Sequence, residues 1–361
     1  MGIHDTTHDA RALMLDDPVT YERADVHRVR DVLAKFPAQC RAAAELRPVP
    51  TPTFPRPRLV VVAGMGGSAS SGDLLAGCAA ERLDVPVIVH RGYGLPTLAG
   101  GRDLVIATSY SGDTAESLSA AEAALSRGCP LVAITSGGRL AALARERGVP
   151  RVTLPVGLMP RMALGYLFFP LLGILKSTDL HVSKGGEVEE AFEVIDALAG
   201  ELDTARPTAT NEAKRLAQAI SNHLPVVYGG PVTGTTAYRW KTDFEENSKT
   251  FAAAGVLPEM NHNEIEAWSG PLARELYLVL LRDREEGPEI TRRFALLREL
   301  IGPGAAGVAE VSTRGGGYLA RLLSLAYLGQ WTSYYLAIVR GVDPWSVPVL
   351  DALKGRMRTD R

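Results

Sequence analysis

The chain is poor in cysteine, has no long apolar run and carries no charge excess, and each absence excludes a class of protein. Its 3 cysteines, Cys40, Cys78 and Cys129, are widely spaced, and no Cys-x-x-Cys pair occurs. A disulfide framework or a zinc ribbon is built on such pairs, so neither is expected. Lysine plus arginine total 39 against 41 aspartate plus glutamate, a formal net charge of −2. A nucleic-acid binder carries a basic surplus, so no nucleic-acid partner is expected. The first ten residues are mostly polar and lack the apolar segment of a signal peptide. The most apolar run, Met162 to Leu175, is closed by Arg161 and Lys176 and contains Pro170. It is too short to span a bilayer comfortably and reads as a buried helix. A cytoplasmic protein with no membrane partner is therefore expected. No internal period of about 20–50 residues is detectable, which excludes a solenoid.

What is present suits two globular domains. The 361 residues exceed the length of one typical domain, and 46% hydrophobic with 22% charged content is average for folded chains. Tyr21 to Glu45 carries Val26, Val29, Val32, Leu33 and Phe36 at near-helical spacing. Arg47 to Arg58 holds five prolines and reads as an extended connector. Short β-branched runs then recur at Leu59–Ala63, Val85–Val89, Leu104–Thr108 and Leu131–Thr135. Such runs mark strands buried on both faces. Alanine-rich helical segments separate them at Ala69–Arg82, Thr114–Arg127 and Arg139–Arg147. This alternation predicts βαβ units around a parallel sheet. A second series repeats the grammar. Helices are expected at Met162–Lys176, Glu187–Leu202, Thr210–His223, Thr235–Lys249, Glu289–Leu300, Tyr318–Arg340 and Val347–Arg356. Strands are expected at Pro225–Tyr228, Glu275–Leu281 and Val308–Val311. The expected domains are residues 1–195, with a helical N-terminal extension packed on the first sheet, and 205–361.

Two loops carry chemistry. Val61 to Gly72 runs from strand to helix through Gly64, Gly66, Gly67 and Ser68. Glycines let the backbone approach a ligand, and the following helix offers free N–H groups and a positive dipole end to an anion. Phosphate is the natural occupant. Gly64-x-Gly66-x-x-Ala69 also fits the loose dinucleotide fingerprint. That reading wants an acidic residue after the next strand, where the chain has His90 and Arg91. The second loop, Ile106 to Glu116, carries Thr108, Ser109, Ser111 and Thr114. Asp113 or Thr114 could cap the following helix, but a cap uses one hydroxyl, not four. Two hydroxyl-rich loops at strand ends of one parallel sheet would converge on one crevice.

The pair Gly66-Gly67-Ser68 and Ser109-Tyr110-Ser111-Gly112-Asp113-Thr114 resembles the phosphosugar-binding loops of the sugar isomerase (SIS) fold. Four further stretches narrow the resemblance. They are Met159-Pro-Arg-Met-Ala-Leu-Gly-Tyr166, Arg239 to Lys249, Glu259-Met-Asn-His-Asn-Glu264 and Asp343 to Lys354. With them, nearly the whole chain from about residue 20 resembles the bifunctional phosphoglucose/phosphomannose isomerase family. The resemblance implies an α/β fold of two SIS-type domains, each a parallel sheet flanked by helices. It implies reversible interconversion of glucose 6-phosphate and fructose 6-phosphate, with mannose 6-phosphate as a second substrate. No metal or other cofactor is implied.

The resemblance also implies roles. Gly66, Gly67, Ser68, Ser109, Ser111 and Thr114 would bind the phosphate. Glu246 would move a proton between C1 and C2 on one face of a planar cis-enediol(ate). Arg161 would stabilise the negative charge that develops there. His262 and Lys354 would open the sugar ring. In the family this histidine comes from the partner subunit, which implies a homodimer. The chain departs from the family's Asn-Glu-Asn motif by placing Glu245 before Glu246. Adjacent helix residues point about 100° apart, so Glu245 is expected to face elsewhere. Epimers at C2 reach one base only if the enediol rotates about C2–C3. The family is thought to use a hydroxyl near the C-terminal motif for this, where the chain has Ser346 and no threonine. A non-catalytic phosphosugar sensor on the same fold would keep the loops and need neither Glu246 nor Lys354. An aminotransferase of the glucosamine-6-phosphate synthase type needs an N-terminal cysteine and a further domain, whereas position 2 is Gly2.

Overall fold

The structure is a computed structural model that describes residues 14–359. The polar N-terminal stretch and its His4 and His8 lie outside the described residues. Two compact units emerge. One comprises Lys35–Asp196 with Arg314–Ser324; the other joins the chain up to Ala34 with Ala197–Thr313 and the chain from Leu325 onward. The chain passes between the two units four times, after Ala34, Asp196, Thr313 and Ser324. The helices before Ala34 group with the second sheet, not the first. A boundary also falls within the long helix Tyr318–Arg340, after Ser324.

The first unit is built on five parallel strands, β1 (Val60–Ala63), β2 (Val87–His90), β3 (Leu104–Thr108), β4 (Leu131–Thr135) and β5 (Arg151–Thr153), in the order β2-β1-β3-β4-β5. The β-branched runs sit where expected. Each of β1, β3 and β4 is fully buried, which is why the runs are uniformly apolar. One face packs Val61, Ala63, Val105, Ala107 and Ala133 against Leu118, Ala121, Ala124, Leu140 and Ala144. On the other face lies helix Gly66–Ala80. There a Cβ on Gly72 would stand 3.0 Å from a Val62 methyl, so glycine lets the helix pack closely and a larger residue would press on that side chain. β5 was not expected. It is three residues long, and Val49 bridges it through bonds of 2.9 and 3.0 Å to Arg151. Helices Phe36–Ala44 and Leu164–Lys176 are locked by Gln39, which donates to the Met162 carbonyl at 3.0 Å and accepts from Gly165 N–H at 2.8 Å. The apolar run read as a buried helix is this second helix. Among the described residues, no helix is long and apolar enough to cross a membrane.

The second unit holds four parallel strands, β6 (Leu224–Gly229), β7 (Ala253–Val256), β8 (Leu276–Arg282) and β9 (Gly307–Ser312), in the order β7-β6-β8-β9. β7 is a further strand the sequence pattern did not announce. One face buries Val226, Tyr228, Leu278 and Leu280 against Met260, Trp268, Phe294 and Leu297. Helix Gly234–Ser248 meets the helix ending at Arg340 through Trp240, whose Nε1 donates to the Leu325 carbonyl at 2.8 Å. A Cβ on Gly329 would lie 2.3 Å from that nitrogen, so glycine is required for the crossing. The N-terminal helices Pro18–Ala24 and Val29–Ala34 are held by tyrosines of the same long helix. Tyr327 donates to the Leu33 carbonyl at 2.7 Å, and Tyr334 donates to the buried Asp25 carboxylate at 3.0 Å.

Candidate active site

In the first unit β1 lies between β2 and β3, so chain connections leave it in opposite directions. The crevice at the carboxyl ends of such strands is the expected ligand site of a parallel sheet. The loop after β1 turns through Gly66, whose φ is +53°, in the left-handed region that favours glycine. Helix Gly66–Ala80 begins there with no side-chain cap from Met65, which leaves its first N–H groups for an anion. Ser68 sits buried in that first turn. The loop after β3 is closer still to obligatory. Gly112 has φ +76°, and a Cβ there would lie 1.9 Å from the Gly137 carbonyl oxygen.

The hydroxyls of the second loop are ordered among themselves. Ser109 Oγ accepts from Gly112 N–H at 3.0 Å and lies 2.8 Å from Thr114 Oγ1. That pair uses one of its two hydroxyl hydrogens, so one remains to donate to a ligand. Thr114 occupies the cap position of helix Ala115–Ser126 but makes no cap bond, and Asp113 accepts instead from Arg139 N–H at 3.1 Å. The capping alternative considered for these residues is therefore not what the fold uses. Ser111 is exposed, and its Oγ accepts from Asp113 N–H at 3.3 Å.

The turn that carries Arg161 packs against the loop after β1 through its backbone. A Cβ on Gly67 would lie 2.7 Å from the Pro160 carbonyl oxygen and 3.1 Å from Arg161 N, so the short turn Pro160–Met162 rests directly on the first loop. Arg161 is 3% exposed. Sequence reasoning missed Tyr110. Its hydroxyl donates to the Pro155 carbonyl at 2.7 Å and accepts from Leu158 N–H at 3.0 Å, tying the second loop to the segment that leads into Pro160. Burial lifts the Tyr110 phenol above its ordinary value, which keeps it a neutral donor. The signal was in view: a tyrosine between two serines is larger than a phosphate loop needs.

The acid–base candidates belong to the second unit. Glu246 is half-buried in the last turn of helix Gly234–Ser248. Glu245 turns away and pairs with Lys241 at 2.7 Å, as helix geometry predicts. The helix is fixed by the buried Arg239–Asp243 ion pair at 2.8 Å and by Asn247, whose Nδ2 donates to Ser333 Oγ at 2.9 Å. Past its end, Lys249 Nζ donates to the Asp343 carbonyl at 2.5 Å, so the start of the C-terminal motif lies beside the Glu246 helix. Lys354, on helix Pro348–Thr359, and His262, closing the turn Glu259–His262, are exposed side chains on separate segments. The bonds just described do not include them. Among the described residues, no group of three or more histidine, cysteine or acidic side chains is placed to hold a metal.

Residues 209–357 match the family described as bacterial phospho-glucose isomerase C-terminal SIS domain, and residues 56–150 match the SIS domain. The bifunctional phosphoglucose/phosphomannose isomerase of Caldicellulosiruptor bescii is 39% identical over 303 residues, which cover 82% of this chain and 89% of that protein. The chain belongs to this family. A protein of the same description from Thermoplasma acidophilum is 34% identical over 299 residues, covering 82% of this chain and 89% of that one. A glucose-6-phosphate isomerase like protein from Thermus thermophilus superposes with a TM-score of 0.63 at 22% identity, covering 93% of this chain and 99% of that one. That last likeness is one of fold. The fold expected from the sequence, two SIS-type parallel sheets flanked by helices, is the one observed.

Proposed function

We propose that this chain interconverts glucose 6-phosphate and fructose 6-phosphate, and fructose 6-phosphate and mannose 6-phosphate, by proton transfer through a cis-enediol(ate). The observation that supports it most is the meeting of three elements at one sheet end: the Gly66–Ser68 loop, the Ser109–Thr114 loop and the Pro160–Arg161 turn resting on Gly67. Hydroxyls and helix amides suit a phosphate, and a buried guanidinium suits an enediolate.

The residues then take the following roles. Ser68, Ser109, Ser111 and Thr114, with the amides at Gly66 and Gly67, hold the phosphate. His262 and Lys354 open the ring by giving a proton to the ring oxygen and taking one from the C1 hydroxyl. Glu246 removes the C2 proton of the open-chain aldose. The electron pair moves into the C1–C2 double bond, and the oxygen at C1 takes the negative charge opposite Arg161. Glu246 returns the proton to C1, and the C2 hydroxyl proton passes to the negatively charged oxygen at C1, so that C2 becomes the ketone and C1 carries the hydroxyl. The mannose epimer uses the same base after rotation about C2–C3. In this reading the protein is a homodimer, and the ring-opening imidazole of each site is His262 of the partner subunit. The buried, unpaired Cys40, Cys78 and Cys129 fit a reducing compartment, and the cytoplasm is the proposed location.

A coupled assay with EDTA present, offering each of the three sugar phosphates separately, tests the reading. Interconversion of all three is expected. Thermal stabilisation by a sugar phosphate with no turnover would instead make the protein a sensor.

A further inference from the structure

Lys249 occupies a place where a lysine is costly. It is the residue that ends helix Gly234–Ser248, and its φ of +53° puts it in the left-handed region. Helices commonly close on such a residue, and glycine is the usual choice because any Cβ strains that conformation by roughly 1–2 kcal/mol. The chain also places most of its positive charge on arginine: its lysines are Lys35, Lys176, Lys184, Lys214, Lys241, Lys249 and Lys354. A lysine here is thus doubly against expectation, and the geometry supplies the reason.

The Lys249 ammonium donates to three backbone carbonyls: Glu246 at 3.1 Å, Asn247 at 3.1 Å and Asp343 at 2.5 Å. An ammonium has three donors radiating from one point, whereas a guanidinium is a flat fork that cannot converge on three such oxygens. Two of these carbonyls are at the C-terminal end of the Glu246 helix, where a cation also complements the helix dipole. The third begins the segment that leads to Lys354. Beyond it the Asp343 carboxylate accepts from Trp345 N–H at 2.8 Å and Ser346 N–H at 3.3 Å, and Trp345 stacks on His27 with ring centroids 5.4 Å apart.

We infer that Lys249 is a positioning residue: its ammonium clamps the carbonyl of the proton-transfer residue Glu246 to the root of the C-terminal segment and so fixes both relative to each other. This rests on the isomerase reading for its consequence in turnover, and on geometry alone for the clamp. The clamp leaves phosphate capture to other residues, so its loss acts on kcat and not on KM. Misplacement by about 1 Å at a reacting group costs up to about 100-fold.

Lys249→Gly separates the clamp from stability, because glycine relieves the left-handed strain while removing the ammonium. The expected result is an unchanged or raised Tm, faster amide exchange at Trp345 and Ser346, and kcat lowered about 10-fold or more with KM within about twofold. Lys249→Cys, alkylated with 2-bromoethylamine, is the rescue. The introduced thiolate displaces bromide and restores an ammonium at nearly the same reach. The resident cysteines are buried, and burial raises the Cys78 thiol to about 12 and lifts Cys40 and Cys129 as well, so alkylation falls on position 249. Recovery of kcat on alkylation is expected. Unchanged amide exchange in Lys249→Gly overturns the clamp whether or not the protein turns over sugar. Wild-type kcat in Lys249→Gly, or no recovery after alkylation, overturns the positioning role. Failure of the isomerase reading itself shows as absent turnover in the unsubstituted protein.

Discussion

Thr233, in the loop after β6, accepts from Gly230 N–H at 2.8 Å and donates its single hydroxyl hydrogen to the Leu281 carbonyl at 2.7 Å. It is fully buried, and a Cβ on Gly229 would stand 2.7 Å from its carbonyl group. The loop after β1 holds the equivalent place in the other sheet, at the central strand where connections diverge. Neither following helix has a side-chain cap, but the loop after β1 faces a second loop in which one hydroxyl hydrogen is left to donate. The next strand ends differ as well. After β3 come Ser109 and Ser111; after β8 come Asp283, Arg284, Glu285 and Glu286, whose charges are met locally: Asp283 accepts from Thr313, Glu285 lies beside Arg284 and Glu286 pairs with Arg282. One sheet end is thus fitted for an anion, and the other has closed its hydroxyl inward. In the proposed function the second unit supplies carboxylate and ammonium groups for proton transfer instead.

The sharpest break in that contrast comes from Gly112→Ala. Its Cβ would collide with the Gly137 carbonyl, and its φ is positive. The loop has to move, at a cost of about 3 kcal/mol or more, and KM for a sugar phosphate rises about 100-fold or the unit unfolds. Gly66→Ala is the comparison, since it has open space at its Cβ and pays only the backbone strain. Thermal melts and initial-rate kinetics on both variants check this.

A paired experiment on hydroxyls follows. Ser109→Ala combined with Thr114→Val raises KM by about 10- to 100-fold, because bonds to a charged group contribute about 1.5–3 kcal/mol each, and leaves kcat within about fivefold. Thr233→Val instead lowers stability by about 1–3 kcal/mol by orphaning buried backbone groups, with KM unchanged. An equal rise in KM from Thr233→Val would abolish the distinction between the two loops.

Much of the fold was legible because it rests on local pattern. The apolar runs of β1, β3 and β4 mark strands covered on both faces. β5 and β7 were not legible. Arg151-Val-Thr153 and Ala253-Ala-Gly-Val256 have no strand signature, and they become strands only because β4 and β6 offer unpaired edges. The partner of the N-terminal helices was equally hidden, since an apolar helix face does not say which sheet it covers. At the candidate site, glycine and hydroxyl spacing announced two strand-to-helix loops, and the structure places both at the carboxyl ends of adjacent strands β1 and β3. The structural duties of Tyr110 and Lys249 depend on carbonyls far away in sequence, at Pro155 and Asp343.

Acid pH probes how the second unit uses its polar groups for structure. Lys214 is fully buried, and its ammonium donates to the carbonyls of Leu15, Thr204 and Arg206 at 2.7–2.9 Å and to Asp16 at 3.1 Å. Partial desolvation raises the Asp16 carboxyl, but hydrogen bonds from Thr208 and Lys214 outweigh it and hold it below its ordinary 3.8. A lowered folded value means the stabilisation is complete above the unfolded value and is lost as pH falls through the folded one. The Tm therefore drops between pH 5 and pH 3 by more in the unsubstituted protein than in Asp16→Asn.

The smallest effect belongs to Glu245→Asn, which restores the family's residue beside Glu246. A half-buried i,i+4 helix pair of this kind contributes about 0.3–0.5 kcal/mol, so stability falls by about that much and kcat stays within about twofold. Chemical denaturation and kinetics would both register a larger role.

The division of labour between the two units is tested most directly by titrating fructose 6-phosphate into Glu246→Gln calorimetrically and measuring turnover on the same preparation. Affinity close to that of the unsubstituted protein, with turnover lowered by about 10²–10⁴, is the predicted result. Turnover within tenfold of the unsubstituted protein would contradict it.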